Sequence, residues 1–572
     1  MPPKFSKELS YPVSFETRTP REQPRTSPCE AGCPAGHAIQ RTIYFIQDNR
    51  FEEALENVRA KNPFPGTCGR ACFHPCEAPC NRTFFDQGLA IRALERAAFD
   101  LADREKVRRP KCRPKSGKRV AVVGSGPAGM TAAYFLTLFG HDVTVFEALP
   151  FPGGMPRFGI PDYRLPKDIP DREIEDIIVM GVKVRTHTAV GRNITFKEIM
   201  EAHDACLIAT GAWREKRLDI PGKDLAVSGL DLLLRAKEGE KPMIGKKVLI
   251  LGGGGVAFDY AGTARRLGAD DVHIACLEPR DKMAAPEEDV RQGEQEGVIL
   301  HNSKIFLRIL GDGGRVTGVE CQDVRAFKFS QDGRLEVKTV PGSEEILPAD
   351  TVIFAVGEEP DLDFLDGAGD FRLTERGTLD VDMDTFATSV PGIFAAGDAA
   401  TGPRSIAEAV GTGRKAAVSI DCYFSGKDPR EIESIYFDQD GEIRTREVGK
   451  GSKGAKPAHV VCYEEIMNPD YYEKMNRVGT ACLDPSEAVS GFQEINKGYD
   501  REEAVKEAGR CFHCGHCAMC GTCVDICPMD VLAMGEDGPT VAYPKECWHC
   551  GGCRINCPCG AVYYEFPLSM LI

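Results

Sequence analysis

No apolar run in the 572-residue chain approaches the roughly 20 residues of a membrane-spanning helix. Basic charge is also in deficit: 71 Lys and Arg stand against 86 Asp and Glu, a formal net charge of −15. There is no basic stripe, which argues against nucleic acid as a main partner. The opening residues MPPKFSKELSYPVSFETRTP are polar and Pro-rich, so a secretory signal peptide is not expected in them. The expectation is a cytoplasmic protein without a membrane span. Its length is too great for one hydrophobic core and calls for roughly three to four domains.

What the chain does have is cysteine, 24 in all, of which 17 crowd into two terminal segments. In a reducing compartment, clustered thiols at ligand spacing indicate metal before disulfide. Near the C-terminus one pattern occurs twice: Cys517-x2-Cys520-x2-Cys523-x3-Cys527-Pro, then Cys547-x2-Cys550-x2-Cys553-x3-Cys557-Pro. A cysteine every third residue aims three thiolates at three corners of one cubane, and the fourth ligates the other cluster. The expected ligand sets are Cys517, Cys520, Cys523 and Cys557 for one [4Fe–4S] cluster, and Cys547, Cys550, Cys553 and Cys527 for the second. The alternative is a pair of zinc knuckles, which does not explain the duplication. Cys511-x2-Cys514 before the run and Cys559 after it exceed the eight thiolates needed, so a structural role is expected for them.

Two dinucleotide fingerprints occupy the middle of the chain. In RVAVVGSGPAGMTAAYFLTLFGHDVTVFE a strand pattern meets a turn made by Gly124, Gly126, Pro127, Ala128 and Gly129. A helix and a second strand follow, ending at Glu147. The first Gly turns the chain, the second admits a pyrophosphate to the backbone, the third lets helix and strand pack closely, and the acid suits ribose hydroxyls. A second such unit, VLILGGGGVAFDYAGTARRLGADDVHIACLE, offers Gly252, Gly254, Gly255, Val256 and Ala257, with Glu278 beyond its second strand. A carboxylate there accepts a free 2′-hydroxyl and repels a 2′-phosphate, which favours NAD over NADP, although Arg280 is close by. Thr210 and Gly211 follow a short strand. Gly357 follows another, and Gly397 and Asp398 end a third with a helix after it.

The order of these parts, with GGMPRFGIPDYRLPK at 153–167 after the first fingerprint, resembles the small-subunit glutamate synthase family of flavoproteins. The same architecture is seen in dihydropyrimidine dehydrogenase and in NADH-dependent ferredoxin:NADP transhydrogenase. The resemblance covers residues 25–572. It implies a multidomain α/β protein with an N-terminal α-helical Fe–S domain at 1–117. An FAD domain at 118–245 and 345–430 would be interrupted by an NAD domain at 246–344. A connector at 431–510 would lead to an α+β ferredoxin domain at 511–572. Gly153, Gly154, Arg157, Gly159, Arg164 and Lys167 match a motif that lies by the flavin in that family. The resemblance further implies an N-terminal [4Fe–4S] cluster on Cys33, Cys72 and Cys76, with Glu95 as candidate fourth ligand. A second from Cys29, Cys68 and Cys80 is left open, because six cysteines and one Glu fall one ligand short of two cubanes.

These parts suit an electron-transfer subunit: hydride exchange with NAD(H) at FAD, and single electrons passed through clusters to a partner. The chain looks like the NAD-reducing flavin subunit of 2-oxoacid:acceptor oxidoreductases of the phenylglyoxylate dehydrogenase kind, whose partner subunits carry thiamine diphosphate. The alternatives are a self-contained NAD(P)H:ferredoxin oxidoreductase and a glutamate synthase-type small subunit. A flavin disulfide reductase would need a cysteine pair at the flavin, and Cys206 and Cys276 are isolated.

Overall fold

The computed structural model describes residues 20–564 other than 23–24, 330–334, 439–440, 448–458, 467–471, 516, 518 and 536–537. The Gly/Lys-containing stretch of the expected connector, 449–458, lies outside the described residues. Among those described, no helix is long and apolar enough to cross a membrane.

Helices Ile39–Gln47, Phe51–Arg59, Pro65–Ala71 and Ile91–Leu101 build the N-terminal domain. Ile39, Ile43 and Ile46 recur at helical spacing and are buried against Phe51, Leu55 and Leu94. Each such side chain gains about 2 kcal/mol on leaving water. Helix Phe51–Arg59 starts with Glu52 and Glu53 and ends on Arg59, matching its dipole.

A further helix joins this core from the far end of the chain. Arg501–Ala508 is started by a reciprocal capping box between Asp500 and Glu503, and it buries Ala504 and Ala508 among the N-terminal apolar residues. Its last turn is fastened by buried charge. Glu507 accepts hydrogen bonds from the N–H of Ala90 (2.9 Å) and of Val478 (2.9 Å), and from Arg510 Nη1 (2.7 Å). Arg510 also donates to Asp86 (3.1 Å) and to the carbonyl of Gln87. Asp86 takes Arg82 through Nε (2.9 Å) and the N–H of Met475 (3.1 Å). Burial opposes the charge on Asp86, but the hydrogen bonds from Arg82, Met475 and Gln87 hold its pKa down at about 2. Residues 475–510 are thereby clamped onto 82–90.

The flavin unit is a five-stranded parallel sheet in the order Ile393–Ala395, Ala205–Ile208, Arg119–Val123, Asp142–Phe146, Lys183–Arg185. Helix Pro127–Leu138 packs against the long helix Ile406–Ser425, where a Cβ on Gly413 would stand 2.2 Å from the carbonyl oxygen of Ala128. The second unit is a parallel sheet in the order Ile299–His301, Asp271–Ala275, Lys247–Leu251, Thr351–Phe354, with antiparallel strands Lys304–Asp312 and Arg315–Phe329 beside it.

The boundary between these units differs from the expected one. Glu345–Pro348 and Thr351–Phe354, expected in the flavin domain, pair with strands of the second unit. Helix Gly229–Lys237, also expected in the flavin domain, buries Leu232 and Leu233 in that unit's core. The chain crosses between the units at a two-stranded ribbon, Arg214–Glu215 with Glu358–Glu359. TVIFAVG reads like the flavin strand CLIATG, so strand pairing, which is non-local, decides the assignment.

The C-terminal module contains the hairpin Leu532–Met534 with Pro539–Val541 and the short helices Thr522–Asp525 and Gly552–Ile555. Its strand Val562–Tyr563 pairs with Arg21–Glu22 at the other end of the chain.

Glu507→Ala would leave the buried Arg510 with Asp86 as its one remaining carboxylate and the amides of Ala90 and Val478 without an acceptor, at a cost of about 3 kcal/mol. The expected result is loss of hydrogen-exchange protection over 478–515 while the two nucleotide units keep theirs. The pKa of Asp86 lies below its ordinary 3.8, so its contribution is complete above about pH 4 and is lost as the pH falls toward 2. Urea unfolding across an acid titration should lose this component in Asp86→Asn.

Candidate functional site

A cavity of about 540 Å³ opens at the carboxyl ends of the flavin-unit strands, where parallel sheets bind their ligands. Gly124, Gly126, Pro127, Ala128, Glu147, Gly154, Thr210, Gly211, Gly397 and Asp398, all candidates from the sequence, line it. Gly129 lies beneath: a Cβ there would meet the Gly124 carbonyl at 2.1 Å, so only Gly lets this helix approach its strand. Gly154, at φ +59°, would collide with Gly126 if it carried a Cβ, and Gly153 N–H donates to Ser125 Oγ at 3.0 Å. The carboxylate of Glu147 is held by the N–H of Ser125 (3.1 Å), the Ser125 hydroxyl and the N–H of Leu149 (2.8 Å). Burial pushes the pKa of Asp398 up to about 7, against the N–H of Arg404.

These features fit FAD. The backbone N–H groups at the start of helix Pro127–Leu138 are an anion site for the pyrophosphate. Gly126 leaves it open space, with no heavy atom nearer than 3.9 Å to the Cβ position. Thr210 Oγ1 is buried with no hydrogen-bond partner in the protein. No cysteine is among the described residues that line this cavity.

Arg157, Gly159 and Arg164 do not line the cavity, contrary to expectation. Arg157 pairs with Asp171 (2.8 Å) and Glu238 (3.3 Å). Arg164 pairs with Asp259 (2.6 Å) and Asp289 (3.3 Å) of the second unit. Lys167 donates to the carbonyl of Lys237 at 3.2 Å, and Lys237 itself donates to the carbonyls of Ile160 and of Leu165 (2.8 Å). Burial lowers the pKa of Lys237 to about 8, although Asp162 opposes the shift. The 153–167 motif thus ties one nucleotide unit to the other. Ser125 and Lys237 are functional neighbours that sequence reasoning missed, and neither carries a motif of its own.

At the second fingerprint, Gly252 holds φ +138° and a Cβ would stand 2.1 Å from the Ala355 carbonyl. Gly254 has no atom within 4 Å of its Cβ position, and the neighbouring Gly255 and Val256 begin the helix, with Ala257 buried. Glu278 lies past the strand end, its Oε2 at 3.3 Å from the Cβ position of Gly253. Arg280 is engaged by Glu287 (2.9 Å) and Glu294 (3.2 Å). Gly357, at φ +103°, adjoins the crossing ribbon through Lys216 N–H at 2.9 Å.

Cys33, Cys72, Cys76 and Glu95 come together between the N-terminal helices. Burial pushes the Cys72 thiol up to about 12, helped by Glu95 and Cys33; burial, then Cys33 and Cys72, raises Cys76 as well. Glu95 is buried, raised to about 8 by that burial, and its Oε1 accepts from Asn62 at 2.8 Å. Cys68 joins this side, near Glu95 and Cys72. It is not beside Cys29 and Cys80, as the open second grouping would have it. Those two lie instead with Cys511 and Cys514.

In the C-terminal module burial pushes Cys523 up to about 12, and the thiolates of Cys557, Cys517 and Cys520 add to it. Cys553 is pushed up to about 11, with Cys547, Cys550 and Cys527 as its thiolate neighbours. Both quartets, each with its crossing cysteine, are therefore gathered. Backbone N–H groups of Met519, Val531 and Gly552 donate to the sulfurs of Cys517 (3.3 Å), Cys527 (3.4 Å) and Cys550 (3.5 Å).

Comparison with known proteins places these parts in one lineage. Residues 118–413 match the pyridine nucleotide-disulphide oxidoreductase family, 22–107 the dihydropyrimidine dehydrogenase domain II 4Fe-4S cluster family, and 516–562 the 4Fe-4S dicluster domain. The chain is 36% identical to the NADP(+)-dependent formate dehydrogenase subunit beta of Moorella thermoacetica, over 86% of this chain and 70% of that protein. It is 32% identical to the NADPH-Fe(3+) oxidoreductase subunit beta of Geobacter sulfurreducens, over 86% and 75%. It is 35% identical to the glutamate synthase [NADPH] small chain of Mycobacterium tuberculosis, over 70% and 86%. The chain belongs to the pyridine nucleotide-disulphide oxidoreductases, as a glutamate synthase small-subunit-like FAD/Fe–S oxidoreductase with an N-terminal Fe–S domain and a C-terminal 4Fe–4S domain.

Proposed function

We propose that this chain exchanges hydride with NAD(H) at FAD and passes single electrons through [4Fe–4S] clusters to or from a partner oxidoreductase subunit. The observation that carries the reading is a shared core. Cys68 and Cys72, with Cys33 packed against them, lie in the same apolar cluster as Ala128 of the flavin cavity wall. The Cys33 loop also touches the long flavin-unit helix, where a Cβ on Gly411 would stand 2.3 Å from the Pro34 carbonyl. A cluster held by Cys33, Cys72, Cys76 and Glu95 would thus share part of its surroundings with the apolar core under the flavin cavity.

FAD, when bound, takes electrons in pairs from nicotinamide and releases them singly. The protein's residues do the rest. The helix start at Pro127 would hold the pyrophosphate, Glu147 the ribose hydroxyls, and Thr210 and Asp398 would offer the cofactor further polar contacts. Arg164, bound to Asp259 and Asp289, keeps the nicotinamide unit in register with the flavin unit.

For the nicotinamide we propose NAD. The support is Glu278 at the glycine turn and Arg280 held by Glu287 and Glu294, which leaves a 2′-phosphate facing a carboxylate. The relatives' names carry NADP, so the measurement matters. The expected outcome is a higher kcat/KM for NADH than for NADPH with a viologen acceptor, and a shift of about tenfold (~1.4 kcal/mol) toward NADPH in Glu278→Arg. A preference for NADPH in the unaltered protein overturns the NAD assignment and leaves the electron-transfer reading intact.

The direction we propose is NAD⁺ reduction with electrons from a partner of the thiamine diphosphate 2-oxoacid dehydrogenase class, a choice that rests on the sequence resemblance. The relatives' names point to formate and Fe(III) systems as the competing partners. Affinity purification from the native host should recover a partner subunit. The chain alone should reduce dye with NADH yet turn over its natural substrate only when that subunit is added. Full turnover by the chain alone would favour a self-contained reductase.

A further inference from the structure

We propose that Cys29, Cys80, Cys511 and Cys514 bind a further [4Fe–4S] cluster, at a site assembled from the two ends of the chain. The site rests on the iron–sulfur reading above but uses ligands that no local motif joins.

Cys29 lies in the turn of helix Pro28–Ala31, Cys80 directly precedes the turn Asn81–Phe84, and Cys511 and Cys514 follow helix Arg501–Ala508. All four line one small cavity, with apolar walls from Ile43, Leu89 and Ile91. All four are free thiols, Cys29 buried and the others at least half-buried. The thiol of Cys29 is raised by burial and by Cys514, Cys80 and Cys511, the three thiols that share its cavity.

The loop after Cys511 repeats the geometry of cluster loops elsewhere in the chain. His513, two residues on, holds φ +49°, and its N–H donates to Cys511 Sγ at 3.3 Å. Met519 (φ +61°) does the same to Cys517 at 3.3 Å, and His74 (φ +43°) to Cys72 at 3.4 Å. His549 (φ +57°) stands at the matching place after Cys547. Left-handed backbone is costly for residues with a side chain and persists where function over-determines it. Here it turns an amide toward each sulfur.

The surroundings hold donors for an anionic group. Asn81 Nδ2 donates to Cys514 Sγ at 3.5 Å. The guanidinium of Arg82 lowers the pKa of Cys511, that of Arg510 the pKa of Cys80 and that of Arg25 the pKa of Cys514, each against a larger effect of burial. Arg82 Nη1, Arg510 Nε and Arg25 Nε are buried without a partner in the protein. Four thiolates brought from separate loops suit the four corners of a cubane. The site also completes the ligand arithmetic: Cys33, Cys72, Cys76 and Glu95 serve one N-terminal cubane, and these four serve another. Cys514 shares a second cavity with Cys557 of the C-terminal module, so the site stands between the flavin-side cluster and the dicluster.

The test is metal analysis of the anaerobically purified full chain. The unaltered protein should contain about sixteen iron and sixteen sulfide per FAD, and the Cys511→Ser/Cys514→Ser variant about twelve. Cys29→Ser, at the other end of the chain, should remove the same EPR or Mössbauer component, while Cys482→Ser, an exposed cysteine outside every group, should leave it. Twelve iron in the unaltered protein, or no loss in the first two variants, overturns the site, as does zinc recovered in place of iron. If the double variant does not fold, the count in the unaltered chain and the Cys29→Ser spectrum still decide. Absence of all iron from the unaltered protein would overturn the electron-transfer reading itself, so the two failures are distinguishable.

Discussion

Four buried charges, Glu507, Arg510, Asp86 and Arg82, hold the two ends of this chain together. None could be buried alone without a cost of several kcal/mol. Together they pair with one another, and the two carboxylates take four backbone amides, those of Ala90, Val478, Met475 and Gln87. Their spacing has a consequence for chemistry. Arg510 immediately precedes Cys511, and Arg82 lies two residues past Cys80. The ion network that docks the C-terminal limb therefore sets the register of the cysteines on either side of it. Arg82 also stacks on Phe512 and Phe85, adding aromatic contact to the same joint.

A second joint governs the two nucleotide units. It consists of the crossing ribbon 214–215 with 358–359, the Arg164 pairs with Asp259 and Asp289, and Lys237 under the loop at 160–165. Hydride transfer needs nicotinamide and flavin at contact distance, and that distance depends on the relative placement of two separately folded sheets. Arg164 and Lys237 act on that placement rather than on the cofactor. This accounts for a glycine- and arginine-bearing motif beside the flavin unit whose arginines do not reach the flavin cavity.

Much of the architecture was legible in the linear pattern. The strand–glycine–helix–strand–acid order around Gly124 and Glu147 is local, and its meaning depends on residues within one supersecondary unit. The same holds for the paired cysteine runs, where turn geometry fixes which three thiolates face one cluster. Other assignments failed for a common reason. Thr351–Phe354 looks like a flavin-unit strand until its hydrogen-bonded neighbour is known. Arg157 and Arg164 look like cofactor ligands until their carboxylate partners are seen. Cys68 sits at the same four-residue spacing as Cys72, Cys76 and Cys80 but falls on the Glu95 side, because helix Pro65–Ala71 turns it there.

The Cys-x2-Cys at 511–514 shows where the line falls. Spacing alone could establish that this pair is a loop able to present two sulfurs, and that the N-terminal cysteines were short of a complete set. It could not join the two facts, because more than 400 residues separate Cys80 from Cys511. Short-range ligation is written in residue intervals, since a few backbone dihedrals decide it. Long-range ligation is decided by helix packing and by ion pairs such as Glu507 with Arg510, whose energies exist only once the chain has closed on itself. Fingerprints, cluster type and family were thus available from the chain's order. The boundary of the nested unit, the role of the 153–167 motif and the meeting of the two cysteine-bearing ends belong to the tertiary structure.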